Sequence, residues 1–221
     1  MTADDDIPIE SVEAVTLHAV FGEEGVELAE RFTVHLATSG VERGLLGPRE
    51  VPRLWERHLL NCAVVTSLVP PAASVIDVGS GAGLPGLVWA VCRPDLQVTA
   101  LEPQERRVAF LRECVAGLEL TNVEVRRGRA QDMTGVLSAE IVTARAVAPL
   151  GRLAAWSAPL LKTGGQLLAF KGDRAAAELA AARAELTRLG LFPQLLRVGQ
   201  EVTSPPTTVV CLRKRAAAHP R

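Results

Sequence analysis

Asp77-Val78-Gly79-Ser80-Gly81-Ala82-Gly83-Leu84-Pro85-Gly86 follows directly on the apolar run Ser74-Val75-Ile76. The order is a strand, a glycine-rich turn and a helix start. Glycines at alternate positions let the backbone take positive φ, and without a Cβ they leave main-chain N–H groups open to a ligand. Pro85 suits the first helical turn, where its missing N–H costs nothing. The stretch reads as a Rossmann-like ligand turn at the head of an α/β sheet.

Outward from this turn, strand and helix patterns alternate. Strands are expected over 74–79, 97–102, 122–127, 139–144 and 165–171, with helices over 85–93, 104–117, 150–161 and 173–189. Such alternation implies βαβ units and a mostly parallel sheet covered on both faces. The last two apolar strands, near 194–202 and 207–213, have only a segment containing Ser204-Pro205-Pro206 between them. With no helix to carry a crossover they should pair antiparallel. Upstream, residues 10–38 have an amphipathic pattern through Val15, Phe21, Val26, Leu28, Phe32 and Leu36. A Gly/Pro-punctuated loop and a second helix over about 53–68 follow, and Pro70-Pro71 precedes the first core strand. The expected organisation is a helical extension over 1–70 packed on a sheet domain over 71–221, together one compact unit.

Composition sets bounds. The 221 residues suffice for one sizeable core, and 48% are hydrophobic. No apolar run approaches the ~18 residues of a membrane span. The acidic start, Met1 to Asp6, has neither the basic nor the apolar region of a secretory signal, so the expected location is cytoplasmic. Cys62, Cys92, Cys114 and Cys211 are scattered, without zinc-type spacing, and no metal is expected. Charge is uneven: residues 1–30 carry nine acids and no Lys or Arg, whereas residues 126–221 carry fifteen Lys or Arg against six acids. One face can therefore meet a polyanion although the formal net charge is −1.

Gly81-Ala82-Gly83-Leu84-Pro85-Gly86 also spells the GxGxxG of dinucleotide enzymes. Asp77 discriminates: a carboxylate beside the turn repels a pyrophosphate, but suits S-adenosylmethionine, which brings a sulfonium and an ammonium. Asp77 can equally cap the turn through its own backbone hydrogen bonds. Glu102 ends the next strand, Gln97-Val98-Thr99-Ala100-Leu101-Glu102, about where a ribose-binding acid stands, ~20 residues past the glycine turn. A carboxylate accepts both hydroxyls of a diol. The candidate cofactor residues here are thus Asp77, Gly79, Ser80, Gly81, Gly83, Leu84 and Glu102.

Arg57-His58-Leu59-Leu60-Asn61, the glycine turn with its Leu84-Pro85-Gly86 continuation, Ala144-Arg145-Ala146 after the fourth strand and Phe170-Lys171-Gly172 after the fifth occur in one order. Together they resemble the bacterial ribosomal RNA small-subunit methyltransferase G family, also called glucose-inhibited division protein B, over nearly the whole chain. The resemblance implies the class I methyltransferase fold: a mostly parallel seven-stranded sheet with its last strand antiparallel. It also implies S-adenosylmethionine as cofactor, 16S rRNA of the small ribosomal subunit as partner, and guanine N7 in a functional loop of that RNA as the methylated atom. A monomer is the expected assembly. By the same resemblance Ala130 and Gln131 flank the adenine.

The chemistry agrees with the residues. Amine methylases often carry an Asn/Asp-Pro-Pro-aromatic turn after the fourth strand, where this chain reads Thr143-Ala144-Arg145-Ala146-Val147-Ala148-Pro149. No Cys follows a Pro, as a carbon-5 pyrimidine methylase would need. Guanine N7 holds no proton, so its attack requires no general base. Arg145 ends a core strand at the ligand edge of the sheet. Its fork fits the cofactor carboxylate, an RNA phosphate or guanine O6, in a positioning role. Arg129, Lys171 and His58 are candidate RNA contacts. The loop 40–50 and Asn61-Cys62 depart from the family pattern, which bears on the substrate side rather than on the cofactor turn. Two further readings stay open: methylation of a small metabolite, and a non-catalytic ribosome-binding module that senses S-adenosylmethionine.

Overall fold

Val75, Ile76, Asp77 and Val78 are all buried, as a strand covered on both faces demands, and they make β1 (Ser74–Val78) an interior strand of the sheet. The computed structural model describes residues 12–215, so the first two positions of the expected N-terminal helix and its acidic leader lie outside the described residues. The other strands are β2 (Gln97–Glu102), β3 (Val123–Arg127), β4 (Ala139–Arg145), β5 (Leu161–Lys171), β6 (Leu191–Val198) and β7 (Thr207–Lys214). They form one seven-stranded sheet in the order β3-β2-β1-β4-β5-β7-β6. β1 to β5 run parallel, and β7 pairs antiparallel with both β5 and β6. This is the predicted architecture.

Helices cover both faces. α3 (Gly86–Cys92) and α4 (Glu105–Gly117) share one apolar cluster with α1 (Ala14–His35) and the helical run 54–68, whose middle is α2 (Asn61–Ala63). α5 (Leu150–Ser157) and α6 (Ala175–Arg188) close the other face, with Leu150, Leu153 and Leu186 in a second cluster. No helix among the described residues is long and apolar enough to cross a membrane.

Several boundaries differ from expectation for local reasons. α1 is kinked at Gly22 (φ 71°, ψ 172°) and ends in a π-helical turn, Leu36–Gly40. The second helix is not uniform: Leu54–Leu60 is π-helical and Val64–Leu68 is 3₁₀. α5 gives way at Ala158, where a 3₁₀ turn containing Pro159 leads into a longer β5. β6 begins at Leu191, ahead of Pro193, because an edge strand has no partner on one side for the missing N–H.

Trp89 ties the helical run 54–68 to the sheet domain. It is fully buried, donates Nε1–H to the Cys62 carbonyl at 2.9 Å, and lies 6.3 Å from the Phe170 ring. Trp89→Ala leaves a cavity and removes that donor, and is expected to lower unfolding free energy by about 3–5 kcal/mol. The denaturation midpoint at unchanged m-value measures this, and a midpoint equal to wild type would contradict it.

Candidate functional site

Where β1, β2 and β4 end, the chain leaves β1 toward β2 on one side and β4 lies on the other, which opens a crevice at the carboxyl edge of the sheet. A cavity of about 620 Å³ fills it, lined by residues that include Gly79, Ser80, Gly81, Leu84, Glu102 and Arg145. The glycine turn is folded over the end of β2. Gly79 and Ser80 donate N–H to the Leu101 carbonyl at 2.8 and 3.2 Å, and Gly81 donates to Glu102 Oε2 at 3.0 Å. The other oxygen, Oε1, accepts from Gln104 N–H at 2.9 Å. Glu102 is 1% exposed, yet each of its oxygens keeps a lone pair beyond these single bonds, and the residue lines the cavity.

Asp77 does not line the cavity. Its Oδ2 accepts from Gly86 N–H at 3.0 Å at the start of α3, Ser80 Oγ donates to its carbonyl at 3.0 Å, and Oδ1 has no hydrogen-bond partner among the described residues. Of the two roles read from sequence, the geometry displays the backbone-capping one. Burial pushes the Asp77 carboxyl up to about 7, and the charge of Glu102 adds to the rise. The close approach explains Gly86: a Cβ there would stand 2.6 Å from Asp77 Oδ2. Gly83 has φ +88° and its Cβ would meet Leu87 Cδ1 at 2.7 Å, so it shapes the turn without itself lining the cavity.

Gln131 and Arg129 line the same cavity, whereas Ala130 is buried in the cluster beneath it. Ala130 and Gln131 belong to a short 3₁₀ turn, Ala130–Met133, that strand-helix alternation did not predict, and Arg129 precedes it. Arg145, at the end of β4, lines both this cavity and a second groove of about 1160 Å³. The groove wall carries Arg53, Arg57, Arg145, Lys171, Arg174 and Arg197 against Glu56, Asp173 and Glu178.

The three candidate RNA contacts fare differently. Arg129 is exposed. Lys171 lines the groove, but its ammonium donates to the Ala148 carbonyl at 3.0 Å and to Glu178 at 2.8 Å, which holds the loop after β4. His58 is 5% exposed and both ring nitrogens are engaged, Nε2 with Glu50 Oε2 at 2.8 Å and Nδ1 with Arg145 Nη2. The imidazole therefore offers no free nitrogen to a substrate. Burial first, then the nearby Arg145 charge, push its pKa down to about 4. Glu50 and the groove arginines 53, 174 and 197 were not singled out from the sequence. Glu50 lies in a Gly/Pro-punctuated stretch of sequence with no periodicity to say which way it faces, and it folds as part of a 3₁₀ segment, Pro48–Arg53, so only the fold reveals its partner.

Comparison with known proteins adds the chain's relationships. The family model described as rRNA small subunit methyltransferase G matches residues 26–204. The ribosomal RNA small subunit methyltransferase G of Thermobifida fusca (strain YX) is 59% identical over 192 residues, 86% of this chain and 81% of that protein. Its namesake in Salinispora arenicola (strain CNS-205) is 52% identical over 217 residues, 94% of this chain and 89% of that one. Among solved structures, the precorrin-6y C5,15-methyltransferase of Geobacter metallireducens GS-15 superposes with a TM-score of 0.54 at 16% identity, covering 77% of this chain and 90% of that chain. The [4+2]-cyclase SpnF does so with a TM-score of 0.55 at 16% identity, covering 71% and 80%. These two share the fold alone, and a cyclase among them shows that the fold does not dictate the reaction. The sequence relationships are closer: the chain belongs to the rRNA small subunit methyltransferase G family.

Proposed function

We propose that this methyltransferase transfers a methyl group from S-adenosylmethionine to guanine N7 in 16S rRNA, in the cytoplasm, with the nucleotide presented where the cofactor cavity meets the cationic groove. The observation that carries the reading is the position of Arg145, which belongs to both walls. S-adenosylmethionine supplies an electrophilic methyl group on a sulfonium.

The residues fit that cofactor. The glycine turn leaves a concave wall with no side chains at Gly79 and Gly81. The spare lone pairs of Glu102 suit the ribose diol, and Gln131, on the wall of the same cavity, would read the adenine edge. Arg129 and Arg145 give the cavity the positive charge that a substrate phosphate or the cofactor carboxylate calls for. Arg53, Arg57, Arg174 and Arg197 line the groove as phosphate contacts.

The chemistry asks little more of the chain than placement. Guanine N7 exposes an in-plane lone pair and loses no proton on methylation, so no side chain has to act as base. Aligning the nitrogen, the methyl carbon and the sulfur is an entropic contribution that reaches ~7–11 kcal/mol in favourable cases. A rigid turn on one side and an oriented guanidinium on the other supply such alignment.

Incubating the protein with labelled donor and small subunits from cells lacking it, then mapping the modified nucleotide, tests the assignment; label on any atom other than a guanine N7 refutes it. Gly81→Asp puts a bulky anion into the turn, where φ is +57°, and is expected to abolish donor binding by calorimetry. Subunit binding should weaken steeply with salt, in proportion to the phosphates neutralised, and Arg174→Ala should reduce the slope of log K against log salt by about 1. A flat salt response would point instead to a small-molecule substrate. Asp77 gives a pH signature. A cation above the turn favours the carboxylate, so donor affinity is expected to rise with pH through about 7, with proton release on binding below that pH, and Asp77→Asn is expected to flatten the profile.

A further inference from the structure

Arg145 is held without being neutralised. Its Nη2 donates to His58 Nδ1 and its Nη1 to Cys62 Sγ at 3.3 Å, and it forms no ion pair with a carboxylate among the described residues. A guanidinium can only donate, so Nδ1 of His58 is bare and the ring proton sits on Nε2. That proton is donated to Glu50 Oε2 at 2.8 Å, while Glu50 Oε1 takes Arg57 at 3.2 Å. The carboxylate thus stands one imidazole away from Arg145: it fixes the ring, and the ring fixes the guanidinium. A direct Glu–Arg pair would orient the arginine too, but would cancel the charge that an anionic substrate needs.

The groups facing the ring agree with a neutral spacer. Glu50 approaches from the 3₁₀ segment Pro48–Arg53, Arg57 from the ring's own helix, and Arg145 from β4. Burial and the two arginine charges oppose protonation, and Glu50 alone favours it.

We propose that Glu50 and His58 are positioning residues, a relay that aims Arg145 at the target nucleotide while leaving its positive charge intact. The role rests on the reading of the junction given above, so its test has one arm that needs substrate and one that does not.

The first arm is a double-mutant cycle on the full chain: His58→Phe, Arg145→Ala and the pair, followed by single-turnover transfer to unmodified small subunits at saturating donor. Each single substitution is expected to slow transfer at saturating donor by about tenfold or more, with the fold retained. The double variant should be no slower than Arg145→Ala. Effects that multiply overturn the proposal, because His58 would then act apart from Arg145. His58→Asn keeps an amide oxygen to accept from Arg145 and is expected to recover part of the rate; a loss equal to His58→Phe overturns it. Should His58→Phe not fold, Glu50→Ala takes its place in the cycle.

The second arm follows the His58 ring nitrogens by NMR. The wild type should show the neutral Nε2–H tautomer down to about pH 4, and Arg145→Ala should move the titration up toward the ordinary 6.5. Titration near 6.5 in the wild type refutes the relay whatever the substrate. The expected spectra without methyl transfer to subunits would refute the functional reading and, with it, the role assigned to the relay.

Discussion

One carboxylate holds the glycine turn in its working shape. Glu102 accepts the Gly81 N–H with one oxygen and the Gln104 N–H with the other, so the turn after β1 and the start of α4 meet on a single side chain at the tip of β2. The sheet makes this possible: β1 and β2 run in register, Asp77 beside Ala100 and Val78 beside Leu101, so their ends reach the same level. The turn cannot collapse toward β2 while the Leu101 carbonyl and Glu102 occupy its N–H groups. A concave surface bare of side chains at Gly79 and Gly81 results, and the same acid lines it. The residue that holds the turn is thus also part of the cavity wall.

Charge is handled differently on the two sides of the cavity. Beneath the turn, Asp77 is buried with one oxygen unpartnered, which lifts its proton affinity until it titrates near neutrality. Across from it, Arg145 keeps its full charge because a neutral imidazole, rather than an acid, receives its hydrogen bond. In the proposed reaction the transferred group arrives as part of a cation and leaves the positive charge on the guanine. A site with fixed partners for every charge would resist that migration, whereas one adjustable acid and one uncancelled base accommodate it.

Much of this was legible before any coordinates. The strand-turn-helix of 74–86 and the alternation behind it predict the sheet because hydrophobic period and glycine placement are local properties. Glu102 and Arg145 were legible for a related reason: a polar residue ending an apolar strand must emerge at the sheet edge. What escaped was contact between distant segments. Glu50 and His58 are eight residues apart across a change from 3₁₀ to π-helical geometry, and nothing local indicates that one faces the other or that Arg145 completes the chain. Asp77 shows the opposite difficulty. Its position beside the turn was evident, but whether the carboxylate looks outward to a ligand or inward to the Gly86 N–H depends on where α3 docks. Lys171 was likewise placed at the right edge, although its ammonium spends two of three donors on Ala148 and Glu178.

The two outermost strands, β3 and β6, each leave one row of main-chain groups without a strand neighbour among the described residues. On β3 the charged side chains Glu124, Arg126 and Arg127 make stacking against another copy electrostatically and sterically unfavourable. β6 exposes Phe192 and Leu195, which alone would invite such stacking, but Pro193 interrupts its donors between them. A ring that looks like a defect in the strand therefore acts as a safeguard against fibrous self-association.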